Sequence, residues 1–311
     1  MKNNIVVLSG GVGGARFLEG LIQAVPQEEI VVIGNTGDDE EFYGLHVSPD
    51  LDIVIYTLAG IVDEKQGWGF KNETYYTMQR LTKLGNDAWF QLGDQDLATH
   101  IHRTNLLKQG KTLSEVTDEL VRHFDLKIKL LPMSNQPVRT VIKTSQRIIS
   151  FQEYFVKNRA QDEVRDIIYQ GAEKAKPVSG ILEILHSAKA IIIAPSNPLV
   201  SIGTILSIPG MNKALQTSPA KIAAISPIIG GKTIKGPAAK MMQEMGMEPS
   251  AFGVAEFYRD FVDVMIIDEQ DKNELKAIEK LGIKVGVTNT IMNDKKTKAH
   301  LAQAVLAYID A

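Results

Sequence analysis

Two pairs of aspartates stand out, Asp50 with Asp52 and Asp94 with Asp96, each pair separated by one residue. Carboxylates of this kind hold Mg²⁺ beside substrate phosphates, or take a proton from an attacking hydroxyl. Both pairs also stand where a helix begins, and there the same residues would act as caps. Gly10-Gly11-Val12-Gly13-Gly14-Ala15 supplies a second ingredient. Glycines after a strand let the backbone approach a phosphate, and the N–H groups of the next helix point at it. The spacing breaks the G-x-G-x-x-G fingerprint, because Arg16 takes the third position after Gly11 and Gly13. That argues against a nicotinamide dinucleotide and for another nucleotide or phosphate.

Three more polar segments each follow an apolar run. Gly34-Asn35-Thr36-Gly37-Asp38-Asp39 offers Asp38 to a ribose hydroxyl, or forms an Asx turn. Ala194-Pro195-Ser196-Asn197-Pro198 puts small polar groups at a strand end, or is a turn bounded by prolines. Ser226 to Thr233, with Gly230 inside it, approaches a P-loop, but Ser226 replaces the first glycine and Pro227 interrupts the loop. We expect a second phosphate or base contact there, not a P-loop NTPase. His100 and His102 are two residues apart, do not share a helix face, and receive no metal role.

The elements that must carry these groups follow from periodicity. Residues 4–9 and 30–34 are short, buried-type strands around a helical stretch from Arg16 to Ala24, a βαβ unit. Helices are expected over Asp50–Ala59, Asn72–Leu84 and Asp96–Leu107. Thr112 and Glu115 form a capping box for another helix, ending near Phe124. Ile128–Leu131 is strand-like, and Val138–Lys143 with Ile148–Phe155 reads as an antiparallel hairpin. The parallel rhythm returns with strands at Ala190–Ala194, Ile222–Ile225, Val262–Ile267 and Lys284–Val287, and helices at Lys235–Met245, Asp271–Leu281 and Lys295–Ile309. The expected fold class is α/β. A Rossmann-like parallel sheet with helices on both faces spans residues 1–60 and 188–311, and residues 61–187 form a mainly helical insertion carrying the hairpin.

Composition narrows the chemistry. The 311 residues contain no cysteine, which excludes disulfides, thiolate metal sites and cysteine nucleophiles. Any metal would have oxygen or imidazole ligands. A formal net charge of −3 argues against an electrostatic grip on nucleic acid or an anionic membrane. No apolar run approaches the ~20 residues of a membrane span, and the N-terminus lacks the pattern of a signal peptide. We expect a cytoplasmic protein.

Taken in order, Leu8–Ala15, Asn35–Asp39, Ser48-Pro-Asp-Leu-Asp-Ile-Val54 and Leu92-Gly-Asp-Gln-Asp-Leu-Ala-Thr-His100 resemble one known family. Pro132-Met-Ser134, Pro195–Pro198, Ser226–Gly230 and Gly253–Glu256 continue the likeness almost to the C-terminus. The chain is similar to the 2-phospho-L-lactate transferase family of deazaflavin coenzyme biosynthesis. The resemblance implies transfer of a phosphorylated three-carbon acid (2-phospho-L-lactate, phosphoenolpyruvate or 3-phosphoglycerate). The donor is guanosine diphosphate-linked, and the acceptor is the terminal ribityl hydroxyl of the deazaflavin Fo. GMP leaves, and the product is the coenzyme F-420 precursor. It also implies Mg²⁺ and a homodimer. By similarity Asp50 lies at the Fo and metal site and is the candidate base. Gln91, Asp94 and Asp96 belong to the same pocket. Gly10, Gly11, Gly13, Asn35, Thr36, Asp38, Ser196, Asn197, Ser226 and Gly230 surround the nucleotide. Gln91 stands where some relatives carry lysine, and Asn135 and Gln136 where many are acidic. Trp68–Phe70 and Trp89-Phe90 either stack on the deazaflavin or pack in the core. The main rival is the related CofD-like regulator, or gluconeogenesis factor, which binds nucleotide-sugars.

Overall fold

The computed structural model describes residues 4–310. Residues 1–3 and 311, the outer ends of the expected core, lie outside the described residues. Seven strands form the central sheet: β1 (Ile5–Ser9), β2 (Ile30–Gly34), β3 (Lys129–Pro132), β4 (Ala190–Ile193), β5 (Lys221–Ile225), β6 (Val264–Asp268) and β7 (Lys284–Thr288). Their spatial order is 7-6-5-4-1-2-3, and every neighbouring pair is parallel. This is the Rossmann arrangement. Its strands are nearly continuous apolar runs because both faces are covered. In β1, Val6 and Leu8 enter one core while Ile5 and Val7 enter the other.

Helix α1 (Gly11–Leu21), α2 (Pro49–Leu58) and the C-terminal Lys295–Asp310 helix bury Phe17, Leu18, Val54, Leu301 and Val305 on the second face. On the first face, Ile181, Ile205, Met241 and Val254 come from four shorter helices. Helices on both faces are thus as expected.

Two expectations about the insertion need correction. β3 lies inside residues 61–187, yet it is the sheet's edge strand, with Val31 opposite Lys129. The division at 60 and 188 therefore does not follow the sheet. Only two apolar residues mark this strand, Leu130 facing one core and Leu131 the other. Pro132 is tolerated at the end of such an edge strand. The hairpin is present, with Arg139–Thr144 pairing Ile148–Ser150, but the chain turns helical at Phe151. A third strand, Val164–Gln170, completes that small sheet. The capping box at Thr112 and Glu115 is formed and starts the Leu113–His123 helix.

Candidate active site

A cavity of about 460 Å³ opens where the strand order reverses, beside the carboxyl ends of β1 and β4. That is where ligands bind in open α/β sheets. The glycine segment forms its floor, but not as a loop: α1 already begins at Gly11, whose φ of +64° suits glycine. The closest approaches these glycines permit are to the protein itself. A Cβ on Gly13 would sit 2.2 Å from the Pro195 carbonyl oxygen, and one on Gly10 would sit 2.7 Å from Asp50 Oδ2. Ser196 ties the two strand ends together. The Gly10 N–H donates to its hydroxyl at 3.0 Å, and the hydroxyl donates to the Gly10 carbonyl at 2.7 Å. The first turn of α1 contains no acidic residue. Its N–H groups therefore present positive partial charge to the cavity.

Asp50 stands opposite that helix end, in the first turn of α2 after Ser48-Pro49. Its Oδ2 accepts from Asn35 Nδ2 at 2.9 Å, and the Gly11 N–H also donates to the carboxylate. Burial outweighs both bonds and, with the charge of Asp39, pushes its pKa up to about 6. Asp38 lines the same cavity and is raised well above the usual carboxylate range. Burial is the main cause, then the charges of Asp50 and Asp39. Asp38 Oδ1 and Asp39 Oδ1 are buried and lack a partner among the described residues. No group of three His, Cys, Asp or Glu among those residues forms a ready metal cage. Two clustered carboxylates with an orphaned oxygen nevertheless fit an Mg²⁺ that shares its coordination with substrate phosphates.

The second aspartate of each pair belongs to a buried ionic network. Arg103, from the helix α3 (Asp94–Lys108), meets Asp52 with both terminal nitrogens, Nη1 to Oδ2 at 3.1 Å and Nη2 to Oδ1. His100 Nδ1 lies 3.1 Å from Arg103 Nη1, which can only donate. The other ring nitrogen of His100, Nε2, lies 3.1 Å from Asp96 Oδ1. Tyr56 Oη donates to the same oxygen at 2.7 Å. Burial acts to raise Asp96, but His100, Tyr56 and Arg103 outweigh it and hold its pKa low. The cavity thus pairs a raised carboxylate, Asp50, with a lowered one, Asp96.

Of the other expected residues, Gly11, Asn197, Ser226 and Gln91 line the cavity, whereas Thr36, Asp94 and Gly230 do not. Asn35 acts from behind, by holding Asp50. Asn197 spends its side-chain oxygen on the Leu199 and Val200 N–H groups. The Gly230 N–H is satisfied by Asp271. Asp94 is a cap, as its position at a helix start allowed. It accepts from Thr74 Oγ1, the Tyr76 N–H and the Thr77 N–H. In return Glu73 accepts from the Gln95 and Asp96 N–H groups at the start of α3. Asn135 accepts from the Ser114 N–H and Gln136 from the Lys176 N–H, and neither reaches the cavity.

Trp68, Trp89, Phe90 and Phe155 form an apolar wall. Phe90 is backed by Phe42, face to face at 3.8 Å, while Phe70 turns away to pack on Tyr56. Residue spacing does not reveal Phe155, because the segment carrying it reads as a strand. It also misses Arg16 and Lys235, the two Lys or Arg residues of the wall among the described residues. The sequence signal for them was faint: Arg16 breaks the glycine fingerprint, and Lys235 follows the P-loop-like stretch.

A family model for 2-phospho-L-lactate transferase CofD matches residues 5–307. The chain is 44% identical over 310 residues to a phosphoenolpyruvate transferase of Kitasatospora aureofaciens, covering 97% of each chain. It is 39% identical over 302 residues to a 2-phospho-L-lactate transferase of Methanosarcina mazei, covering 97% of this chain and 99% of that one. A crystal structure of a upf0052 family member from Bacillus halodurans shares the fold, with a TM-score of 0.67 at 16% identity, covering 98% of this chain and 99% of that one.

Proposed function

Because the chain belongs to the 2-phospho-L-lactate transferase CofD family, we propose that its cavity moves a phosphorylated three-carbon acid from a guanosine diphosphate-linked donor to the ribityl hydroxyl of the deazaflavin Fo. The observation that carries this reading is the raised Asp50 beside the N-terminus of α1 in one crevice. A proton acceptor whose pKa lies near working pH is suited to an alcohol nucleophile. A helix N-terminus is suited to the phosphates of the donor.

The ribityl oxygen bonds to the phosphorus that bears the acid, and its proton passes to Asp50. The bridging P–O bond breaks, and its electron pair leaves on GMP. Asn35 and the Gly11 N–H hold the Asp50 carboxylate in place throughout. Asp38 and Asp50 are the residues that would hold Mg²⁺, which when bound neutralises phosphate charge. Trp68, Trp89 and Phe155 offer the flat deazaflavin an apolar face. The relatives divide between phosphoenolpyruvate and 2-phospho-L-lactate transferases, so the donor acid is to be found by assay.

The nucleotide-sugar-binding regulator is not favoured, since the relatives at 39% and 44% identity are named as transferases. Asp50→Asn tests the reading. Transfer should fall at least a hundredfold, the scale of general-base catalysis, roughly 10²–10⁴, while GDP still binds. Near-normal turnover in that variant would remove Asp50 from the chemistry.

A further inference from the structure

The cavity wall carries four carboxylates, Asp38, Asp50, Asp52 and Asp96, but among its described residues only two Lys or Arg side chains, Arg16 and Lys235. Arg103 neutralises Asp52 from behind. A donor bearing the charges of a diphosphate and a carboxylate is repelled by most of this wall. The favourable end is where Arg16, Lys235 and the start of α1 come together.

Among the described residues neither cation has a counter-ion there. Arg16 makes no hydrogen bond or ion pair with any described residue. Lys235 Nζ has one hydrogen bond, to the neutral Gln66 carbonyl at 3.2 Å. That bond draws the 63–69 loop over the first turn of α1. A Cβ on Gly67 would sit 2.9 Å from Lys235 Nζ and 3.3 Å from Val12 Cγ1. Burial, and then the charge of Arg16, lower the Lys235 pKa, as expected for cations gathered without an anion between them. The two residues reach this spot from α1 and from the loop after Lys232–Thr233, far apart in the chain.

Resting on the transferase reading, we propose that Arg16 and Lys235 are a two-cation clamp for the diphosphate of the guanylylated donor. They hold the departing guanylate while the ribityl oxygen bonds to phosphorus. The electron pair of the broken P–O bond then stays on a GMP phosphate that faces two cations and a helix N-terminus. Both groups are binding residues for the leaving group, and Asp50 keeps the proton.

The test is calorimetric titration of GDP and of uncharged guanosine into the wild type, Arg16→Gln and Lys235→Met, at several salt concentrations. Each substitution should weaken GDP by roughly tenfold, as for the loss of one charge-assisted hydrogen bond. Guanosine affinity should stay unchanged, and the dependence of GDP affinity on salt should flatten. Arg16→Lys should recover part of the loss. In turnover, kcat/KM for the donor should fall while KM for Fo holds.

GDP affinity within twofold of wild type in both variants overturns the clamp and leaves the transferase reading intact. A parallel loss of guanosine affinity also overturns it, because that marks a structural effect. Should Arg16→Gln fail to fold, Lys235→Met on its loop decides alone. A wild type that transfers nothing, with the variants losing GDP as stated, keeps the clamp and removes the transferase reading. A wild type that binds no GDP overturns both.

Discussion

Replacing Asp50 by asparagine should stabilise the protein while abolishing transfer. The Asp50 carboxyl is nearly buried and is pushed up to about 6 by that burial. Its ordinary value is close to 4, and a displacement of that size corresponds to about 3 kcal/mol against the charged form. Below about pH 4 the group is protonated in both folded and unfolded chains, and the cost is absent. Between about pH 4 and 6 the unfolded chain ionises first, so stability falls as pH rises. Above about pH 6 the cost is constant and in full effect. Asparagine removes the charge but offers one acceptor oxygen for the bonds from Asn35 and Gly11, which loses about 1 kcal/mol. The variant should therefore be more stable than the wild type by about 2 kcal/mol at pH 7.5, or about 3 °C in Tm for a chain of this length. Urea denaturation in a chelating buffer, at pH 7.5 and pH 5, reads this directly. At pH 5 the charge cost falls to roughly half, so the net gain should shrink to about 0.6 kcal/mol. A variant less stable than wild type at pH 7.5, or a gap that ignores pH, would refute the reasoning.

Arg103→Met leaves Asp52 buried without its partner and should cost about 3–5 kcal/mol at neutral pH. Denaturant midpoints should show part of that loss recovered toward pH 5, as Asp52 takes up a proton. Gly13→Val drives a side chain into the Pro195 carbonyl; thermal melting should show general destabilisation, not a selective loss of GDP binding. Asp94→Asn should fray the Tyr76–Lys83 helix, visible as faster amide exchange at Tyr76 and Thr77, while turnover stays close to wild type.

Much of the frame was legible because parallel strands buried on both faces write themselves as apolar runs. β1, β2, β4 and β5 are such runs, and the Gly10–Ala15 segment marks the turn between strand and helix. β3 was misplaced because an edge strand contributes one residue to each core, and Lys129-Leu-Leu-Pro132 carries too little pattern. The Ile148–Phe155 segment has the pattern of a strand throughout, because its apolar content does not encode the turn at Phe151. Asp50 and Asp94 occupy equivalent places at helix starts. Only tertiary structure separates the one that faces the cavity from the one that caps a neighbouring helix. Arg16 and Lys235 are silent in the sequence for a related reason. A lone basic residue has no periodicity, and its meaning lies in the absence of a partner in space.

The central claim is best tested by incubating the purified protein with Fo, Mg²⁺ and, in turn, the guanylylated phospholactate, phosphoenolpyruvate and phosphoglycerate donors, with products followed by mass spectrometry. The account predicts a phosphodiester of Fo carrying the three-carbon acid, with GMP formed in equal amount from at least one donor. A folded protein that binds GDP yet forms no such diester from any of the three would contradict it.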